Sequence, residues 1–377
     1  MTGIHIYLVP GFFGFSQLGA LNYFHRVKET LDTLLRKRNI HAKIVECKTQ
    51  PTGSIKFQAD RLIQEVIDSG GLDADDIHFV GHSTGGLNAR LLVTPGVRLL
   101  DSHVEDRIGE KTRSVITVAA PHYGTPLASF FTSFQGRNTL QILTLLATTT
   151  SGRRTIFLAS RLLGAVAHID DVLGKDQTFL DELLEKLLRK LTLDPTDPIW
   201  QFLREISIDQ GAIIQLTPES MHIFNAAVSP RPSVSYRCLL TAAPPPSLFL
   251  RENFTSFNSA AMSLLFALLY TLTSREHRCY PYPQADEKTA ELIASKIPFD
   301  LTPTTNDGIV PTMSQISGEV IDVVVANHLD VVGQFPNAGG NPLGDWLPAG
   351  TDFNEERFVR VWESIASAID EIEGETR

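Results

Sequence analysis

Cysteine is scarce in this sequence: Cys47, Cys238 and Cys279 are the only three in 377 residues, and none stands in a C-x-x-C pair. So few, so scattered, they exclude a zinc ribbon and a disulfide framework, and if any two pair they are Cys238 and Cys279. Long apolar runs are also missing. The most apolar stretch, Ala260–Leu272, is interrupted by Ser263 and Tyr270 and is too short to span a bilayer. No basic cluster offsets the formal charge of −10, which excludes nucleic acid as a partner because phosphate binding needs a basic face. The acidic balance reads as solubility. Met1-Thr2-Gly3 leads at once into the β-type run Ile4–Val9 with no signal-peptide pattern, so the expected location is the cytoplasm. Repeats and low-complexity tracts are absent.

What is present suits a globular enzyme: 43% apolar and 20% charged residues, in a chain long enough for a large core. β-branched and apolar runs at Ile4–Val9, Ala42–Cys47, Ile77–Val80, Ser114–Ala119, Tyr236–Thr241 and Val320–Ala326 read as strands. Helical patterns near Tyr23–Arg38, Phe57–Asp68, Leu87–Leu92 and Asn354–Ile372 lie between or after them. Strands without a polar face, alternating with helices, predict an α/β protein with a mostly parallel sheet covered on both sides. The rhythm breaks between Ala128 and Ile214, where Phe179–Leu191 carries leucines at i, i+3, i+4 and i+7, and Asp194-Pro195-Thr196-Asp197-Pro198 reads as a hinge or turn. The expected organisation is a core of residues 1–127 and 215–377, a helical cap or lid over 128–214, and a further helical insertion near 245–285. The apolar stripes either pack on the core or face a lipid as the underside of a lid.

The most informative stretch is Phe79-Val80-Gly81-His82-Ser83-Thr84-Gly85-Gly86. A strand enters a G-x-S-x-G pentapeptide and a helix leaves it, the setting in which a serine sits on a strained turn as an exposed nucleophile. Gly81 and Gly85 fall where a Cβ would strike neighbouring backbone. The turn aims the Ser83 hydroxyl outward and places the Thr84 amide where an oxyanion would form.

A serine hydroxyl needs a base, and the base needs a carboxylate to hold its tautomer. In the order Ser, acid, His, Asn306-Asp307-Gly308-Ile309-Val310-Pro311 is a turn with the right chemistry, and the strand after it delivers Asn327-His328-Leu329-Asp330. Of 11 histidines, His328 alone lies downstream of Asp307. Asp322 falls inside the strand, Asp330 follows the histidine and Asp300 has no turn signal, which leaves Asp307 as the acid. His82 packs under the turn, and His122 orders the loop after Ser114–Ala119. Acyl transfer also needs a second oxyanion donor. The Gly-punctuated loop Val9-Pro10-Gly11-Phe12-Phe13-Gly14-Phe15 offers the Phe12 amide, with Phe13 and Phe15 beside it as apolar acyl-binding residues.

With these residues assembled the chain resembles the bacterial true lipases, triacylglycerol lipase family I of the α/β-hydrolase superfamily. Gly11-Phe12-Phe13-Gly14-Phe15, Gly81–Gly86, Ala120-Pro121-His122-Tyr123-Gly124-Thr125-Pro126, Gln215–Ser220 with Phe224-Asn225, Asn306–Pro311 and Asn327–Asp330 match its blocks in order. The family usually has His before the oxyanion-loop glycine, where Pro10 stands here. The resemblance implies an α/β-hydrolase fold with an inserted helical cap, no organic cofactor, and a lipid or ester substrate; the amphipathic cap adds the expectation of transient contact with a lipid interface. The resemblance also implies a structural calcium bracing the histidine loop, held by Asp330, Gln334, the carbonyl of Ala338 and, among earlier acids, Asp286; these are hard oxygen donors. The alternative readings are a short-chain carboxylesterase, polyester depolymerase or acyltransferase with the same Ser–Asp–His set, and a non-catalytic protein that binds an apolar ligand.

Overall fold

A computed structural model of the chain describes residues 3–12, 17–18, 21–48, 53–99, 102–132, 211–246, 257–275, 279–336 and 347–375. Most of the expected cap, with Phe179–Leu191 and Asp194–Pro198, falls outside the described residues.

Six strands form one sheet: β1 (Ile4–Val9), β4 (Ala42–Glu46), β5 (Asp76–His82), β6 (Thr112–Val118), β7 (Ser235–Ala242) and β8 (Glu319–Val325). Two further short strands, β2 (Gln17–Leu18) and β3 (Leu21–Asn22), pair only with each other. The sheet order is β4-β1-β5-β6-β7-β8, and every pairing is parallel. All six strands read from the sequence are found, each within two residues of its expected ends. Their legibility comes from burial on both faces: in β1, Ile6 and Leu8 pack to one side while Tyr7 and Val9 pack to the other.

Ten helices are described: α1 (Val27–Lys37), α2 (Ile55–Asp68), α3 (Thr84–Val93), α4 (Ser102–Lys111), α5 (Pro126–Thr132), α6 (Gly211–Gln215), α7 (Pro218–Ala227), α8 (Phe257–Thr273), α9 (Glu287–Lys296) and α10 (Glu355–Gly374). α1 lays Val27, Leu31, Leu34 and Leu35 against Phe358, Trp362, Ile365 and Ile369 of α10, and the pair covers one face of the sheet. On the other face, Leu62, Ile63 and Val66 of α2, Ala89, Leu92 and Val93 of α3 and Ile108 of α4 meet Tyr7, Ile77, Phe79 and Val115. Ile293 of α9 and Ile297 just past its end pack on Cys238, Leu240, Val320 and Val323 at the β7–β8 end. Ser54, Thr217, Asp286 and Asn354 cap α2, α7, α9 and α10 through side-chain oxygens, each cap worth about 1 kcal/mol.

Two details differ from the expectation. α1 starts at Val27 because Arg26 takes φ 61, so Tyr23 precedes the helix and is buried. The cysteines are free thiols, Cys47 and Cys238 buried and Cys279 exposed, so Cys238 and Cys279 do not pair. Burial pushes the Cys238 thiol up to about 12.

Candidate active site

β5 ends at His82 and α3 starts at Thr84, leaving Ser83 alone in the turn with φ 55 and ψ −130. A non-glycine residue pays for this left-sided conformation in strain, and the surroundings must over-determine it. They do. Ser83 N–H donates to the Val118 carbonyl at 2.8 Å and Gly86 N–H to the Ser83 carbonyl at 3.1 Å. A Cβ on Gly85 would run into the carbonyl oxygens of Val9 and Pro10, so the turn is pressed against the end of β1. Thr84 N–H opens α3 and is among the four donors that a helix does not use internally. The helix dipole adds positive potential there, suited to a developing anion.

Sixty-odd residues separate β7 from the acid loop, yet the chain returns: Ala243 N–H donates to the Asn306 carbonyl at 3.0 Å, and Asn306 bridges Pro311 across the turn. Asp307 is fully buried and surrounded by donors only. Its Oδ1 accepts from Ile309 N–H at 3.0 Å and Val310 N–H at 2.8 Å. Its Oδ2 accepts from the Thr241 hydroxyl at 2.7 Å, the Gln315 amide at 3.4 Å and His328 Nδ1 at 2.8 Å. The His328 backbone N–H also donates to the Asp307 carbonyl at 3.0 Å, so the two loops are tied twice. With Nδ1–H given to a carboxylate, Nε2 is the basic position of the His328 ring. That ring lies 4.7 Å, centroid to centroid, from the ring of His82, the residue before Ser83. The structure thus gathers the elbow, the acid and the histidine at the C-terminal edge of the sheet.

The competing acids stand elsewhere. Asp322 accepts from the Ser364 hydroxyl at 2.8 Å and pairs with Lys296 at 3.2 Å, and Asp300 is exposed. His122 is buried, accepting from Arg90 at Nδ1 (2.8 Å) and facing the Thr117 hydroxyl at Nε2 (3.1 Å), while Asn225 donates to its carbonyl. Burial, then the Arg90 charge, holds its pKa well below 6.5. Phe12 is half-buried, following Gly11 at the end of the β1 loop, whereas Phe13 and Phe15 fall outside the described residues. Three neighbours escaped the sequence reading: Tyr23, Thr241 and Gln315. Thr241 had a usable signal, a hydroxyl near the C-terminal end of an otherwise apolar strand; Tyr23 and Gln315 had none.

Of the four groups expected to hold calcium, three lie among the described residues. Asp286 caps α9 by accepting from Thr289 N–H at 2.8 Å, and Lys288 beside it reaches Glu319 at the start of β8. Asp330 follows the end of β8 and spends its oxygens on Asn327 N–H at 2.8 Å, the Asn327 side-chain amide at 2.9 Å and the Thr351 hydroxyl at 3.1 Å. Gln334 is buried nearby and Ala338 falls outside the described residues. Among the described residues no group of three or more His, Cys, Asp or Glu could hold a metal ion. No step below involves a cation.

Comparison with known proteins agrees with the architecture. A family described as "Putative serine esterase (DUF676)" matches residues 8–186. A triacylglycerol lipase of Pseudomonas fragi is 26% identical over 128 residues, 34% of this chain and 38% of that protein, so the chain matches well under half of that relative's length. The crystal structure of Staphylococcus hyicus lipase superimposes with a TM-score of 0.52 at 16% identity, covering 99% of this chain and 97% of that one. EstA from Clostridium botulinum superimposes with a TM-score of 0.53 at 16% identity, covering 97% and 89%. The parallel six-stranded sheet and these neighbours make the fold an α/β-hydrolase fold.

Proposed function

We propose that this chain is a serine carboxylic-ester hydrolase, a lipase acting on acylglycerols or other medium-to-long acyl esters through an acyl-enzyme. The observation that carries the reading is the buried Asp307–His328 pair, 2.8 Å apart, beside a serine in a strained strand-to-helix turn. The serine-esterase family match and the lipase relative support the same class of chemistry.

In this reading His328 Nε2 takes the proton of Ser83 as Oγ attacks the ester carbonyl. Asp307 holds the ring in that tautomer and steadies the imidazolium that forms. The amides of Thr84 and Phe12 receive the oxyanion, each such donor worth on the order of 10²–10³ in rate. The proton on Nε2 passes to the leaving alcohol, and water, deprotonated by the same nitrogen, releases the acid and restores Ser83. Asp307 stays ionised throughout. Apolar loop residues, Phe12 with Phe13 and Phe15, are the proposed seat of the acyl chain.

The family description, a serine esterase, is met equally by one nearby reading, an esterase for short acyl groups. Turnover of p-nitrophenyl esters from acetyl to palmitoyl separates the two. A rate maximum at octanoyl or longer is expected; a maximum at acetyl or butyryl replaces the lipase assignment with that of a short-chain esterase. Contact with a lipid interface belongs to the same proposal. Among the described residues no helix is long and apolar enough to cross a membrane.

A further inference from the structure

Three hydrogen bonds cross the candidate site outside the Asp307–His328 pair, and only one placement of protons satisfies all of them. Gly11 N–H donates to the Tyr23 phenol oxygen at 2.8 Å, so at that contact the phenol accepts. The single phenol proton is left for His82 Nδ1, 2.7 Å away, which must then be an acceptor. The His82 proton therefore sits on Nε2, where it donates to the carbonyl oxygen of His328 at 2.9 Å. A backbone N–H can only donate and a carbonyl can only accept, so the two ends fix the direction of the whole chain and the tautomer of His82.

Each end of this chain adjoins a reacting part. Gly11 precedes Phe12, whose amide is a proposed oxyanion donor. His82 precedes Ser83. The third anchor is the backbone of His328 itself. The packing leaves little slack: a Cβ on Gly11 would lie 2.5 Å from the Ser83 Cβ and 2.9 Å from the Tyr23 oxygen. Pro10, with no N–H, cannot tie the loop after β1, so Gly11 supplies the first amide after the strand that can. Tyr23 and His82 are buried, and their rings meet edge to face 5.7 Å apart. Burial drives both toward their neutral forms, holding His82 well below 6.5 and raising the Tyr23 phenol. Neutrality is what the proton placement requires. A Cβ-sized gap or a lost hydroxyl here would move the oxyanion amide relative to the base, and a misplacement of about 1 Å is enough to cost about 10²-fold in rate.

We propose that Tyr23 and His82 are positioning residues: a one-way hydrogen-bond relay, Gly11 N–H to Tyr23 O–H to His82 to His328 C=O, that holds the oxyanion loop in register with the histidine loop. The proposal rests on the ester-hydrolase reading above. The test is steady-state ester turnover and fluorophosphonate labelling of Tyr23→Phe, His82→Leu, His82→Gln, the Tyr23→Phe/His82→Leu double variant and Ser83→Ala, with melting curves for each.

Tyr23→Phe removes one oxygen and is expected to lower kcat about 10- to 100-fold with KM within about twofold, and to slow labelling of Ser83 in parallel. His82→Leu is expected to lose a similar factor. His82→Gln keeps a donor toward the His328 carbonyl and is expected to recover most of that loss. Because the two residues act in series, the double variant should lose no more than the worse single one. A Tyr23→Phe enzyme with wild-type kcat, a loss confined to KM, or losses that multiply in the double variant would each overturn the relay. Should Tyr23→Phe fail to fold, the contrast between His82→Gln and His82→Leu decides alone, and equal losses in those two overturn it. Ser83→Ala separates this proposal from its parent. Activity surviving in Ser83→Ala ends both, whereas an inactive Ser83→Ala beside a fully active Tyr23→Phe ends only the relay.

Discussion

His78 in β5 and His328 after β8 each hold a carboxylate, in opposite settings. His78 Nε2 lies 3.0 Å from Glu373 of α10 and its Nδ1 lies 2.8 Å from the Ser114 hydroxyl of β6. His328 Nδ1 lies 2.8 Å from Asp307, and its ring stands against the residue before Ser83. A serine, a histidine and an acid are thus bonded together at His78, while at His328 the acid is bonded and the serine is the residue after the ring it faces. The first set is closed: His78 and Ser114 stand opposite each other on β5 and β6, just after a register shift at Ile77/His78, both are fully buried, and both ring nitrogens are taken. The second leaves Nε2 away from its carboxylate, at the edge of the sheet where the strands end and loops begin, and its serine is in a strained turn rather than a strand. Residue type and distance do not distinguish a staple from a candidate reacting set; backbone conformation and place in the fold do.

The comparison breaks most decisively at Ser83 and His328. Ser83→Ala and His328→Ala are each expected to lower ester turnover by about 10⁴ or more with melting temperature little changed, measured as kcat/KM on the best p-nitrophenyl ester. Substantial activity in either would place the chemistry elsewhere. Asp307→Asn is expected to cost slightly less, about 10³–10⁴. Its amide keeps the shape and loses the carboxylate that sets the His328 tautomer, so the damage should fall on kcat.

The His78 set should respond in the other currency. Glu373→Ala removes the carboxylate from a buried ring nitrogen and is expected to cost about 1–3 kcal/mol in denaturant unfolding while kcat/KM stays within about twofold. A large loss of activity there would make the two sets functionally linked. The smallest expected effect concerns the buried histidines that have no carboxylate. His82 and His122 are held well below 6.5, chiefly by burial, so the folded protein resists their protonation. Their contribution to stability is complete above pH 6.5 and is lost as the pH falls below it, because only the unfolded chain takes up those protons readily. The urea midpoint should accordingly fall between pH 7 and pH 5. A midpoint that holds steady over that range would show that neither ring is kept neutral by the fold.

The sequence carried the strands because each is an apolar run buried on both sides, and it carried Ser83, Asp307 and His328 as candidates because each stands in a local turn signature: Gly81 to Gly85, Asn306 to Pro311, Asn327 to Asp330. It missed α4, α7 and α9, whose apolar stripes are short, and it missed Tyr23 by reading it into a helix that Arg26 prevents from starting there. Asp286 caps a helix, which its place in the sequence did not reveal, because a carboxylate before a helix looks the same as a cap or as a ligand. A Cys238–Cys279 bridge was left open by counting, and burial of one thiol with exposure of the other closed it.

Sequence by itself determined the alternation of strand and helix, the strained turn at Ser83 and the identity of three candidate reacting side chains, since each of these depends on residues within a few positions of one another. Only the tertiary structure decided which histidine faces which acid, that Thr241 and Gln315 crowd donors around Asp307, and that Tyr23 and His82 join the two loops. Those contacts link positions 59, 66 and 246 residues apart. A polar side chain has no periodicity of its own, and its partner is whatever the folded sheet brings across from it.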